Sequence, residues 1–157
     1  MFWGCFYGKT KGEGIFWEKD WGSINEHSYR RHILPTVHEL VDDVKETSGV
    51  QLSFMQDGAP GHRAAGTKKD LQNRKIQVVE WPPYSPDLNP IKSCWNWMKD
   101  YIEDKYGLEE KPTYPRLKGY VEEAWKELPE SYLETLINQM PERCKAVIEA
   151  NGMHTKY

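Results

Sequence analysis

Asp57 closes an apolar run in Phe54-Met55-Gln56-Asp57-Gly58-Ala59-Pro60-Gly61-His62. An acid at the carboxyl end of a strand, ahead of a tight turn, is where open α/β sheets place their ligands. A hard oxygen donor in that place suits magnesium or manganese. The plainer reading of Asp57 is a turn residue satisfied by local amides. His62, at the entry of the following helix, reads first as structural. A second stretch, Trp81-Pro82-Pro83-Tyr84-Ser85-Pro86-Asp87-Leu88-Asn89-Pro90-Ile91, is long and proline-rich, and hard to explain as a generic connection. A third feature is cationic. Arg63, Lys68, Lys69, Arg74 and Lys75 form the only local basic cluster, which either tracks phosphates or makes a solvated helix face.

These residues need a scaffold, and the chain reads as a strand-rich first third followed by helices. Phe2 to Tyr7 and Gly14 to Glu18 are short aromatic runs around Lys9-Thr10-Lys11-Gly12, which predicts a hairpin. Ser23 and Glu26 make a capping box that opens a helix. Tyr29, Ile33, Val37, Leu40 and Val44 keep helical spacing, Pro35 should kink that helix, and Gly49 is a natural stop. Val50 to Met55 is a buried strand, Arg63 to Arg74 a short basic helix, and Ile76 to Trp81 a further strand ended by Pro82-Pro83. Asn89 is expected to cap the next helix with Pro90 in its first position, and Trp95, Met98 and Ile102 form its inward stripe. From Pro115 onward two or three helices are broken at Pro129 and Pro141 and end at Asn151-Gly152. Leu117, Val121, Trp125 and Leu128, then Leu133, Leu136, Ile137 and Met140, supply their apolar face. The alternation of strands and helices predicts an α/β layer with a helical tail.

Bulk properties narrow the class. The 157 residues fit one compact domain, divided into a sheet-and-helix core over 1–109 and a helical C-terminal extension over 110–157. Seven Trp and nine Tyr predict a core built around large rings. A net charge of −3 argues against a stand-alone nucleic-acid binder, so any DNA affinity must be local or borrowed. Cys5, Cys94 and Cys144 match neither a disulfide framework nor a zinc spacing, which points to a reduced, nuclear or cytoplasmic setting. No apolar run approaches the roughly 18–20 residues of a membrane span, and no secretion signal is evident.

The Gln56–His62 segment and the Ser85–Ile91 segment together resemble the Tc/mariner superfamily of DNA transposases. The resemblance extends over nearly the whole chain, from Trp3-Gly4-Cys5-Phe6 to Pro141-Glu142-Arg143-Cys144 and His154-Thr155-Lys156-Tyr157. It implies an RNase H-like fold, a mixed sheet with flanking helices, carrying two aspartates and a glutamate of a DDE endonuclease. Asp57 matches the second aspartate. His62, Ser85, Pro86, Asp87, Asn89 and Pro90 match the supporting motif positions. The third acid follows the Ser-Pro-Asp-Leu-Asn-Pro-Ile motif in this family after a gap of 34 residues, and that count from Asp57 arrives at Lys92. Two magnesium or manganese ions held by three carboxylates would then activate water or a 3′-hydroxyl for in-line attack on a phosphodiester.

Two departures bear on activity. Lys92 puts an ammonium where the family has an anionic ligand, in the first turn of a helix. A monovalent cation about 4 Å from a divalent one costs roughly 8 kcal/mol at an effective dielectric of about 20, although a flexible stem can swing away. The alternative is that Lys92 points to solvent and a nearby acid substitutes, with Asp87 the obvious candidate; in the family Asp87 belongs to the loop motif and braces it. The second departure is the family's first strand, with its aspartate, which is expected upstream of Met1 and is missing here. Its loss should expose two sheet edges that invite another chain.

Three functions are consistent with this reading. One is a transposase-derived endonuclease domain that no longer cleaves, with weak or absent metal binding. Another is a non-catalytic DNA- or protein-interaction module, such as a dimerising repressor that pairs with itself or with an intact transposase. The third is a residually active nuclease.

Overall fold

The computed structural model describes residues 1–107 and 111–157, which fall into two compact units, 1–14 with 86–157 and 15–85. The expected boundary between residues 109 and 110 lies outside the described residues.

The first unit begins with short strands β1 (Phe2–Trp3), β2 (Phe6–Tyr7) and β3 (Thr10–Lys11). A shorter hairpin lies inside the span expected for one. β2 pairs antiparallel with β3, Phe6 opposite Lys11 and Tyr7 opposite Thr10. Gly8, at φ 50°, takes the left-handed conformation that so short a reversal needs. The Gly12 amide donates to the Cys5 carbonyl at 2.8 Å and extends the ladder by one step.

The second unit opens with β4 (Ile15–Phe16), followed by helices α1 (Glu26–His32) and α2 (Leu34–Ser48). The cap of α1 is Asn25, not Ser23. Asn25 Oδ1 accepts from the amides of His27 and Ser28, and the Asn25 amide donates back to Ser28 Oγ at 3.0 Å. Asparagine is as good a cap as serine, and Ser28 supplies the reciprocal acceptor, so the box closes two residues later than Ser23 and Glu26 suggest. Pro35 falls at the start of α2, where its missing N–H costs nothing, and the expected kink becomes a break at Ile33. Gly49 stops α2 at φ 71°.

The unit continues through β5 (Ser53–Phe54), α3 (Pro60–Arg63), α4 (Ala65–Asn73) and β6 (Gln77–Val78). β5 and β6 pair in parallel, Ser53 with Gln77 and Phe54 with Val78, so α3 and α4 form a β-α-β crossover. Both strands are shorter than expected, because Val78, Val79 and the residues around them are exposed and little apolar burial extends the ladder. The single basic helix expected over Arg63 to Arg74 is split at Ala64, whose ψ of 144° is extended. Tyr29, Ile33, Leu34, Val37, Val41, Val44, Leu71 and Ile76 make the core of this unit.

The first unit resumes with four helices, α5 (Ile91–Tyr106), α6 (Tyr114–Glu127), α7 (Glu130–Asn138) and α8 (Met140–Glu149). Pro129 caps α7, Pro141 lies in the first turn of α8, and Asn151 and Gly152 turn the chain at positive φ. Cys94, Met98, Ile102, Ala124, Trp125, Leu128, Leu133 and Leu136 form the buried cluster, flanked by Phe2, Phe6 and Trp95. Phe2 stands edge-on to Trp95 and Trp125, with centroids at 5.7 and 5.6 Å, which is the favoured aromatic geometry. Leu117 and Ile137 were expected on the inward face and are exposed instead, since both lie at the margin of their stripe. No described helix is long and apolar enough to cross a membrane.

Candidate active site

In the second unit, Asp57 lies three residues past β5 and three residues before α3, in a corner that its own side chain shapes. Its Oδ1 accepts from the Ala59 amide at 3.1 Å, an Asx-type turn. His62 Nδ1 lies 2.8 Å from the same oxygen and 3.2 Å from the Asp57 carbonyl. Both neighbours are acceptors, so Nδ1 carries the proton and Nε2 is the free ring nitrogen. The His62 ring rests 4.4 Å from Tyr29 of α1, and the Tyr29 hydroxyl donates to Gln56 Oε1 at 2.8 Å. Thr67 fastens α4 to this turn by donating to the Gly61 carbonyl at 2.6 Å. Asp57 is therefore both a half-exposed acid and a turn brace, and neither role displaces the other. The bond from Tyr29 to Gln56 and the one from Thr67 to Gly61 are supports that sequence reasoning did not find.

The basic cluster divides. Arg74 Nε binds Asp70 Oδ1 at 2.9 Å, and Arg30 Nε binds Asp70 Oδ2 at 3.2 Å. These two guanidinium groups hold the Asp70 carboxyl below its usual range, working against its desolvation. Arg74 thus belongs to a brace between α1 and α4. Arg63, Lys68, Lys69 and Lys75 are exposed and, among the described residues, pair with no carboxylate. Lys75 bends the chain out of α4 at φ 57°.

The Ser85–Ile91 motif spans the junction of the two units. In the second unit, Ser85 Oγ donates to the Pro83 carbonyl at 3.1 Å, and Tyr84 stands 99% exposed with φ 55°. In the first unit, Pro86–Leu88 is a single 3-10 turn, closed by the Asn89 amide on the Pro86 carbonyl at 2.9 Å. Asn89 does not cap α5 as expected. The helix begins one residue later, because the amides of Lys92 and Ser93 already donate to the carbonyls of Asn89 and Pro90. The Asn89 side chain turns inward instead, with Oδ1 buried and unpartnered among the described residues. Pro90 is buried as the residue preceding the helix, and Lys92 is exposed in its first turn.

Asp87, the acid of this motif, is turned to the chain's end. Its Oδ2 accepts from the Thr155 amide at 2.7 Å and from the Thr155 hydroxyl at 2.8 Å. Those two bonds hold its carboxyl below the usual carboxylate range. Arg143, 3% exposed, donates to the Asp87 carbonyl at 2.9 Å and to Ser93 Oγ at 3.0 Å. The contacts of Arg143 and Thr155 with Asp87 were not legible in the sequence, because the partners lie far apart along the chain.

Among the described residues, no three His, Cys, Asp or Glu side chains come together to hold a divalent ion. Asp57 offers one oxygen not already hydrogen-bonded, and Lys92, deprived of any lone pair while protonated, offers none. These residues do not fit the two-ion arrangement.

Comparison with known proteins gives this geometry its family. Residues 11–113 match the family described as DDE superfamily endonuclease. The chain is 33% identical over 162 residues to the Tc1 transposase of Caenorhabditis elegans and 31% identical over 157 residues to the Tcb1 transposase of Caenorhabditis briggsae. All of this chain is covered in both alignments, and it spans 54% of each relative. The Mos1 transposase catalytic domain, solved with raltegravir and Mn, superposes with a TM-score of 0.81 at 15% identity, covering 99% of this chain and 76% of that one. The architecture is accordingly RNase H-like, and the chain belongs to the DDE superfamily endonucleases as a homologue of the Tc/mariner transposases.

Proposed function

We propose that this chain is a transposase-derived endonuclease domain that does not cleave DNA. The observation that carries the reading is Lys92: an exposed ammonium stands in the first turn of α5, at the position that the family resemblance gives to the third acid. Asp57, the match to the second aspartate, spends one carboxylate oxygen on the Ala59 amide and His62. A related catalytic domain was solved with Mn, so magnesium and manganese are the ions to test, and this chain should hold them weakly.

The test is nicking of supercoiled plasmid by the 157-residue chain in magnesium or manganese. The expected result is no nicking above a protein-free control. Nicking that disappears in Asp57→Asn would overturn the proposal.

A retained DNA-binding role is the second reading, and a specific observation favours it. Arg63, Lys68, Lys69 and Lys75 sit exposed in one unit with no internal carboxylate engaging them among the described residues. Four uncompensated cations suit a phosphate backbone, sequence-independently and in competition with salt. In this role the chain would act in the nucleus or cytoplasm, alone, as a homodimer or beside an intact transposase.

A further inference from the structure

Among the described residues Arg143 is the only charged side chain that is buried. A guanidinium loses its hydration on burial and is kept there only by fixed partners. Its partners are not carboxylates. They are the Asp87 carbonyl at 2.9 Å, Ser93 Oγ at 3.0 Å and the face of the Tyr157 ring, whose centroid is 4.8 Å away. Asp87 and Ser93 flank the start of α5 on opposite sides, and Arg143 spans them from α8.

The tail completes the arrangement. Thr155 gives both its amide and its hydroxyl to Asp87 Oδ2, and the Tyr157 amide donates to Thr155 Oγ1 at 3.3 Å. The clamped segment is also held by the burial of Leu88, Asn89 and Pro90 and by the Tyr132 hydroxyl, 3.5 Å from the Ser93 carbonyl. Its internal bonds are those of one 3-10 turn and the helix entry, and the Asn89 side chain contributes none among the described residues. The segment 86–93 is thus fastened by residues fifty or more positions away, through a charge, a doubly donating threonine and a ring.

We propose that Arg143, Thr155 and Tyr157 are positioning residues that clamp the Pro86–Ser93 segment, fixing where α5 begins and how position 92 is presented. The inference concerns the segment and stands whether or not the domain cleaves DNA. It assigns the Ser-Pro-Asp motif two partners, Arg143 and Thr155. It also makes Asp87 the receptor for the tail.

The experiment is hydrogen exchange on the whole chain, read separately over residues 87–94 and over α6. Thr155→Val keeps the amide donor and loses the hydroxyl, and should speed exchange in 87–94 about tenfold while leaving α6 at its wild-type rate. Thr155→Ser keeps both donors and should restore the wild-type rate. Tyr157→Leu removes the ring from the guanidinium and should speed the same window about threefold. The proposal is overturned if residues 87–94 exchange at the wild-type rate in both Thr155→Val and Tyr157→Leu. It is overturned equally if α6 accelerates in parallel, or if the serine variant behaves as the valine variant does.

Discussion

Replacing Arg143 by methionine keeps most of the side chain's length and removes its charge, so the cost isolates the guanidinium. Two hydrogen bonds from a charged donor are lost, to the Asp87 carbonyl and Ser93 Oγ. Each is worth about 1.5–3 kcal/mol net. The contact with the Tyr157 ring adds about 0.5–2 kcal/mol. One term opposes these: Arg143 Nε is buried without a partner among the described residues, and removing it returns about 1–3 kcal/mol. The balance of the mid-range values is a loss of about 3–4 kcal/mol, a large share of the roughly 5–15 kcal/mol that holds a domain together. With a urea dependence near 2 kcal/mol per molar, the unfolding midpoint should fall by about 1.5–2 M. Urea unfolding by circular dichroism measures this, and a cycle with Ser93→Ala should return a coupling of about 1–2 kcal/mol. A midpoint within about 0.5 M of wild type, or a coupling near zero, would refute the reasoning, since buried charge would then be idle.

Two other predictions concern charge. Glu123 accepts from the Tyr101 hydroxyl at 2.7 Å, from the Tyr106 hydroxyl at 2.5 Å and from Lys105. The bond to Lys105, then those to the two phenols, lower its carboxyl from 4.5 to about 2. A depressed carboxyl contributes stability that is complete above the unfolded value and is lost as pH falls through the folded one. The melting temperature should therefore fall between pH 4.5 and 2 more steeply in wild type than in Glu123→Gln; equal slopes would count against a depressed Glu123 carboxyl. For DNA, binding of duplex measured by fluorescence anisotropy should weaken with salt, with a log–log slope of about −0.9 for each phosphate neutralised. Changing Arg63, Lys68, Lys69 and Lys75 to glutamine should flatten that slope, while Arg74→Gln, already tied to Asp70, should leave it unchanged.

What could be read from the sequence followed from local physics. Tyr29, Ile33, Val37 and Val44 keep helical spacing and are buried, Gly49 stops α2 in the left-handed region, and Pro35 and Pro129 mark breaks. Each of those outcomes is decided within a turn of the residue itself. The errors arose where two local solutions compete. Ser23 with Glu26 and Asn25 with Ser28 both spell a capping box, and only the backbone path selects the second. Asn89 before Pro90 spells a cap, yet neighbouring carbonyls reach the first-turn amides sooner. The clamp at Arg143 was harder still, since its acceptors lie far along the chain. One clue was present: Met140, Arg143 and Val147 follow the inward spacing of α8, so the arginine occupies a core-facing position. Lys92 was legible only through the motif that precedes it, because no local rule distinguishes an exposed lysine from a replaced acid.

The corner at Asp57 carries a lesson for anyone dissecting it. The carboxylate a cation would seek also ties Ala59 and His62 into shape through its Oδ1, so erasing the acid with alanine also slackens its surroundings. Asparagine separates the two jobs: its carbonyl can still accept from the Ala59 amide, but it carries no negative charge. A trait that survives asparagine and fails with alanine belongs to the fold of the corner, and one that fails with both belongs to its charge.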